Sequence, residues 1–250
     1  MRRLATFVLL LAACNDDLPK PEEIRDLRIL GVRAEPPDGP PGTIVQLDAL
    51  VATPEPEPVQ TAWLACAGGT GDPEECVNLA GGNLPPPCSQ GPAPVCLLGL
   101  DDPDPYTLPG GVSAALIAVV AAETDAGGLF GCQQDLLEQG TVPPYCRIAL
   151  KRIPIRDGDE RNANPGLASL IVDGDTVRVT LGTGAVEPTP DGPEALFLSW
   201  FVTAGELDHF RTDGDEAGLS NRWTPLDASG RIFVVVRDGR GGESWISGSR

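Results

Sequence analysis

Apolar and polar residues alternate with a period of two in several short runs, and glycine and proline fill the gaps between them. Across residues 43–51, Val45, Leu47, Ala49 and Val51 share one face while Gln46 and Asp48 take the other, the pattern of a half-buried strand. Residues 27–34 predict a strand before it, ended by Glu35-Pro36-Pro37-Asp38-Gly39-Pro40-Pro41-Gly42, which is turn chemistry throughout. A third strand is expected over 59–66, with Trp63 near its middle. Residues 112–122 are almost wholly apolar. Their alanines would suit a helix, but the flanking Gly110-Gly111 and Gly127-Gly128 and the Ile117-Ala118-Val119-Val120 run favour a core strand. A short helical turn is expected over 133–139, and a closing strand over 147–155 carries Ile148, Leu150, Ile153 and Ile155. Further along, Leu170-Ile171-Val172 is a strand, Asp173-Gly174-Asp175 a turn, and 176–181 an alternating strand. Residues 195–202 form a strand that includes Trp200. The run Ile232-Phe233-Val234-Val235-Val236 leads through Asp238-Gly239 and Gly241-Gly242 into Glu243-Ser244-Trp245-Ile246, a tight hairpin.

The unit strand, loop, strand with tryptophan therefore occurs twice, once from Thr43 to Trp63 and once from Thr176 to Trp200, and a repeat of this kind argues for two copies of one architecture. The opening three strands resemble those of an immunoglobulin-like sandwich, in which a tryptophan on the third strand fills the space between two sheets. The cysteine positions here do not follow the antibody spacing, so that family's inter-sheet bridge is not implied. The segment from Trp200 through Asn221-Arg222-Trp223-Thr224-Pro225 to Gly242 resembles PKD-like and related bacterial immunoglobulin-like repeats. The expectation is an all-β protein of two tandem immunoglobulin-like β-sandwich domains, over 27–156 and 170–250, with a polar hinge at 157–169. The first domain carries a disulfide-rich loop insertion.

The N-terminus changes this picture by giving it an address. Arg2 and Arg3 precede an apolar run over 4–13, interrupted by Thr6, and small residues lead into Cys14. The run is about half of the ~20 residues a membrane-spanning helix needs. Leu11-Ala12-Ala13-Cys14 resembles the lipobox of bacterial lipoproteins, and the resemblance implies a signal peptide over 1–13, cleavage before Cys14, and acyl chains (palmitate among them) on its sulfur. The polar, proline-bearing stretch 14–26 is expected as a flexible tether, able to hold the first domain up to ~40 Å from the lipid surface.

Cysteine usage is consistent with export. There are seven, and lipidation of Cys14 leaves Cys66, Cys76, Cys88, Cys96, Cys132 and Cys146, enough for three structural disulfides in an oxidising compartment. Cys132 with Cys146 is favoured as a local staple. The pairing of the other four is open, and none of the six forms a C-x-x-C pair that would suggest zinc or redox chemistry. The net charge is −18, and removing Arg2 and Arg3 with the signal takes it to −20. A surface this acidic repels nucleic acid and anionic lipid head groups, so the body is expected to bind neither directly.

No constellation of catalytic residues stands out. His209, the one histidine, lies beside Asp208, but there is no Gly-x-Ser-x-Gly elbow, no P-loop and no Rossmann glycine signature. Asp157-Gly158-Asp159-Glu160, Asp173-Gly174-Asp175 and Asp213-Gly214-Asp215-Glu216 gather oxygen ligands of the kind calcium prefers, but Asp-Gly is also what a turn requires, and turns are favoured. The expected function is non-enzymatic, without cofactor, metal or catalytic residues: a lipid-anchored cell-envelope protein facing the periplasm or the exterior. It would present a binding or structural surface to an envelope or extracellular protein or glycan. A hydrolase and a calcium-dependent adhesin are the alternatives.

Overall fold

The computed structural model describes residues 20–66, 96–100, 106–107, 113–157, 161–190, 192–224 and 229–250. The fold is mostly β. In the N-terminal half, β1 (Arg28–Glu35), β2 (Ile44–Ala52) and, once Val59–Ala65 is counted as β3, β4 (Cys96–Gly99) make an antiparallel sheet in the order β1-β2-β4. Opposite lies a sheet centred on β6 (Ser113–Glu123), with β3 on one side and β7 (Cys146–Ile155) on the other. The short β5 (Tyr106–Thr107) pairs with the start of β6. Val32, Ala34, Val45, Leu47, Trp63, Ile117, Val119 and Ile153 fill the space between the sheets.

The apolar run of β6 is explained by burial on both faces. Ile117 and Val119 point into the sandwich, while Leu116, Ala118, Val120 and Ala122 meet helix α1 (Gly128–Gln139) through Cys132 and Leu136. The helix is longer than the turn expected over 133–139. Gly127 at φ 113° opens it, and Gly140 at φ 66° closes it with its N–H bonded to the Leu136 carbonyl. Its apolar stripe is hard to see in the sequence because Phe130 and Leu137 face solvent.

The C-terminal half contains β8 (Leu167–Asp173), β9 (Thr176–Leu181), the small hairpin β10 (Pro188–Thr189) and β11 (Gly192–Pro193), β12 (Phe197–Val202), β13 (Glu206–Leu207), β14 (Arg211–Asp213), β15 (Ser220–Thr224), β16 (Arg231–Arg237) and β17 (Glu243–Ser249). Its two sheets run β13-β15-β9-β8 and β14-β12-β16-β17 over a core that includes Val177, Val179, Leu198, Trp200, Trp223, Ile232 and Val234. The expected hairpin joins β16 to β17, with Arg237 opposite Glu243. Both halves follow one order: β1-β2-β4 and β8-β9-β15 in one sheet, β3-β6-β7 and β12-β16-β17 in the other. Trp63 pairs with Val119 on β6, and Trp200 pairs with Val234 on β16.

β16 is also buried on both faces. Ile232, Val234 and Val236 enter its own core, whereas Phe233 and Val235 pack with Ile24, Leu30 and Ala52 of the N-terminal half, bordered by Leu50, Phe201 and Trp245. The halves thus lie side by side along β1 and β16-β17.

The stretch 14–26 was expected to be free tether. Its described part, residues 20–26, is not. Glu23 bridges Val202 in parallel, the Ile24 N–H donates to the Val202 carbonyl at 2.8 Å, and the Val202 N–H donates to the Glu22 carbonyl at 2.9 Å. Ile24 and Leu27 are buried. Within the segment Ile24 is the apolar anchor, packed with Leu30, Ala52, Phe233 and Val235, and the hydrogen bonds to Val202 satisfy the backbone beside it.

Candidate functional site: a buried polar seam between the halves

Charged side chains concentrate where β1, β7 and residues 161–164 meet the β16-β17 hairpin. Glu243, which is buried, stands 3.4 Å from the Lys151 ammonium and 2.7 Å from the Arg237 guanidinium. Lys151 donates to the Gly241 carbonyl at 2.8 Å, and Arg237 donates to the Leu30 carbonyl at 2.8 Å. Burial pushes the Lys151 pKa below its ordinary 10.5, with the Glu243 charge and hydrogen bond opposing that shift. β1 approaches β17 this closely because position 31 is glycine. A Cβ there would lie 2.8 Å from Glu243 Oε1 and 3.3 Å from the Trp245 ring.

Asp238 closes the hairpin by accepting from the Arg240 N–H at 2.7 Å and the Gly242 N–H at 2.9 Å, and it also accepts from the Asn162 amide at 2.8 Å. The Asn162 N–H in turn donates to Asp38 at 3.1 Å. Asp38 is fully buried, with Arg156 3.5 Å from its carboxylate. Asn164 donates to the Ala34 carbonyl at 2.7 Å and accepts from the Glu243 N–H at 2.8 Å. Residues of the expected hinge therefore hydrogen-bond to both halves. Arg240 pairs with Glu187, Glu194 and Asn162. Burial raises the Glu194 pKa above the usual carboxylate value, opposed by the hydrogen bond from the Glu187 N–H and by Arg240. The Lys151–Glu243 ion pair and the hydrogen bonds of Arg237, Asn162 and Asn164 join the two halves, an arrangement that fixes their relative orientation.

The residues singled out from sequence lie elsewhere. Cys14, Cys76 and Cys88 fall outside the described residues. Cys66 is buried and disulfide-bonded, Cys96 begins β4, and Cys132 is bonded to Cys146 across a Cα–Cα distance of 5.8 Å. That bridge ties α1 to the start of β7, where the Tyr145 hydroxyl donates to Asp135 at 2.6 Å. Asp208 and His209 are exposed, the His209 backbone is held by the Asn221 amide, and among the described residues no serine hydroxyl bonds to the imidazole. Asp215 accepts from the Gly218 N–H, and Asp175 lies near Arg222 and Arg250. Among the described residues no group of three or more His, Cys, Asp or Glu side chains is placed to hold a metal. No described helix is long and apolar enough to cross a membrane.

The seam was missed in the sequence, though two signals were present. Lys151 is one of only two lysines and interrupts an aliphatic strand. The hairpin Arg237-Asp238-Gly239-Arg240-Gly241-Gly242-Glu243 carries more charge than a turn needs.

No protein-family model matches the chain, and no curated protein matches it. Among solved structures, the D00-D0 domain of Intimin is 12% identical with a TM-score of 0.28, the alignment covering 90% of this chain and 96% of that one. The D0-D1 domain of Intimin is 11% identical with a TM-score of 0.26, covering 88% and 97%. Overlaps of this degree fix neither fold family nor function.

Proposed function

We propose that the protein is a lipid-anchored component of the bacterial cell envelope. In this reading two tandem immunoglobulin-like sandwiches, 27–156 and 170–250, act as one rigid unit that presents a non-enzymatic binding or structural surface. The observation that carries the proposal is the seam. Residues of β1, β7, 161–164 and the β16-β17 hairpin are cross-bonded, and an apolar patch around Phe233 and Val235 lies beside them. A protein built to hold two sandwiches at a fixed angle suits presentation better than catalysis. The shared strand order and the matching places of Trp63 and Trp200 support two copies of an immunoglobulin-like unit. The address rests on the Arg2-Arg3, apolar run and Leu11-Ala12-Ala13-Cys14 sequence.

Mass spectrometry of the native protein tests the anchor. The expected mature N-terminal peptide begins at Cys14 and carries added lipid mass, and Cys14→Ala releases the protein into the soluble fraction. A native product that retains Met1, or a Cys14 thiol found free or in a disulfide, overturns the proposal. Three disulfides among Cys66, Cys76, Cys88, Cys96, Cys132 and Cys146 are expected from non-reducing peptide mapping of the same sample.

A further inference from the structure

The seating of residues 20–26 bears on which way the molecule faces. Lys20 pairs with Glu206 at 2.7 Å, residues 22–24 hydrogen-bond with Val202, Arg28 donates to the Pro21 and Glu23 carbonyls, and Asp26 pairs with Arg147 at 2.6 Å. These partners lie at one end of both sandwiches. Val202 ends β12, Arg147 lies at the start of β7, and Arg231, which starts β16, donates to the Thr53 carbonyl just beyond the end of β2. The end of β6 is at this pole too, since the Glu123 N–H bonds to the Tyr145 carbonyl. At the opposite pole are Ile44 at the start of β2, Ser113 at the start of β6, and Cys66, which follows the end of β3.

We infer that the pole built from residues 20–26, 123–126 and 202–206 faces the membrane, and that the pole carrying Ile44 and Cys66 points away from it. This rests on the proposed acylation of Cys14. Only five residues separate Cys14 from Lys20, so over six steps of ~3.4 Å the docked arm stands within about 20 Å of the lipid, half the reach of a free tether. β2 is nine residues long, which places Ile44 roughly 27 Å farther out than the end of that strand. The C-terminal half is thereby held at the membrane as firmly as the N-terminal half, although it comes second in the chain. Glu55, Glu57, Asp125 and Asp208 are exposed at this pole beside Lys20, paired with Glu206, and Arg25, paired with Glu23, so the pole is charged and hydrated and does not insert into the lipid. The two ends of the cysteine-rich stretch, at Cys66 and Cys96, leave from the part of the molecule turned toward partners.

The test uses the full lipidated protein in phosphatidylcholine vesicles bearing a head-group energy acceptor. A fluorescent amino acid is placed at Asp125 in one sample and at Ile44 in another, which leaves the cysteines undisturbed. Transfer from Asp125 is expected to exceed transfer from Ile44 by roughly threefold, given strands that separate the poles by about 27 Å or more. Inserting ten Gly/Ser residues between Cys14 and Lys20 preserves the docked arm but lengthens the leash, and should cut the Asp125 signal and erase most of the contrast. Ile24→Asp, which undocks the arm, should do the same if the variant folds. Equal transfer from both sites on vesicle-bound protein, or stronger transfer from Ile44, overturns the orientation and leaves the anchor standing. Wild-type protein that stays in the aqueous phase and behaves like Cys14→Ala overturns the anchor, and the orientation with it.

Discussion

At the scale of single residues, the seam shows how a buried charge depends on its partners. Glu243 faces both Lys151 and the part-exposed Arg237, so Glu243→Gln leaves the buried Lys151 ammonium without its carboxylate in a poorly solvated place. It should cost about 3–5 kcal/mol in urea denaturation. Lys151→Met removes a charge whose burial is already unfavourable and leaves Glu243 paired with Arg237, so it should cost under about 1 kcal/mol or stabilise. The pH dependence follows from the sign of the shift. A lysine whose folded pKa is lowered binds its proton less tightly folded than unfolded, so it costs stability at neutral pH, and that cost fades as pH rises toward 10.5. Any advantage of Lys151→Met at pH 7 should therefore shrink by pH 10, and an advantage that grows with pH would contradict the assignment. Tyr145 offers a spectroscopic check. Its hydroxyl donates to Asp135, which pushes its pKa up to about 12, and Asp135→Asn should bring the phenol's ultraviolet titration back toward 10.

At the scale of elements, α1 and β16 differ in what holds them. The helix covers one face of β6, with Cys132 and Leu136 inward and a glycine at each end. The Cys132–Cys146 bridge closes a loop of about 15 residues, so replacing both cysteines with alanine should cost about 3 kcal/mol and raise amide exchange in α1 before exchange in β6. β16 needs no such staple, because both its faces are covered by packed residues from opposite halves. Gly31→Val drives a side chain into Glu243 and the Trp245 ring, and it should destabilise the contact between halves more than either sandwich.

At the scale of the whole molecule, the contact between halves and the docked arm make one cooperative unit the expectation. Calorimetry should show a single transition, with the fluorescence change coincident with the loss of β-sheet circular dichroism. Phe233→Asp places a charge in the patch formed with Ile24, Leu30 and Ala52, and should split that transition in two. Two separate transitions in the wild type would mean that the seam contributes little to coupling.

What the sequence determined was whatever depends on neighbours along the chain. The period of two in 43–51 and 176–181, the turns at Asp-Gly, the hairpin before Glu243 and the repeated tryptophan strand were legible because side-chain alternation and turn chemistry are local. The runs in β6 and β16 were legible as apolar, but their surroundings were not. A strand buried on both faces has no alternation to say what covers each one, and here one is covered by a helix and the other by the opposite half. Residues 20–26 read as tether because composition reports average polarity, whereas docking depended on Ile24 meeting Ala52, Phe233 and Val235, which are distant in sequence. The seam belongs to the tertiary structure for the same reason: Asp38, Lys151, Asn162 and Glu243 are ordinary surface residue types until the fold removes their water and supplies one another as partners.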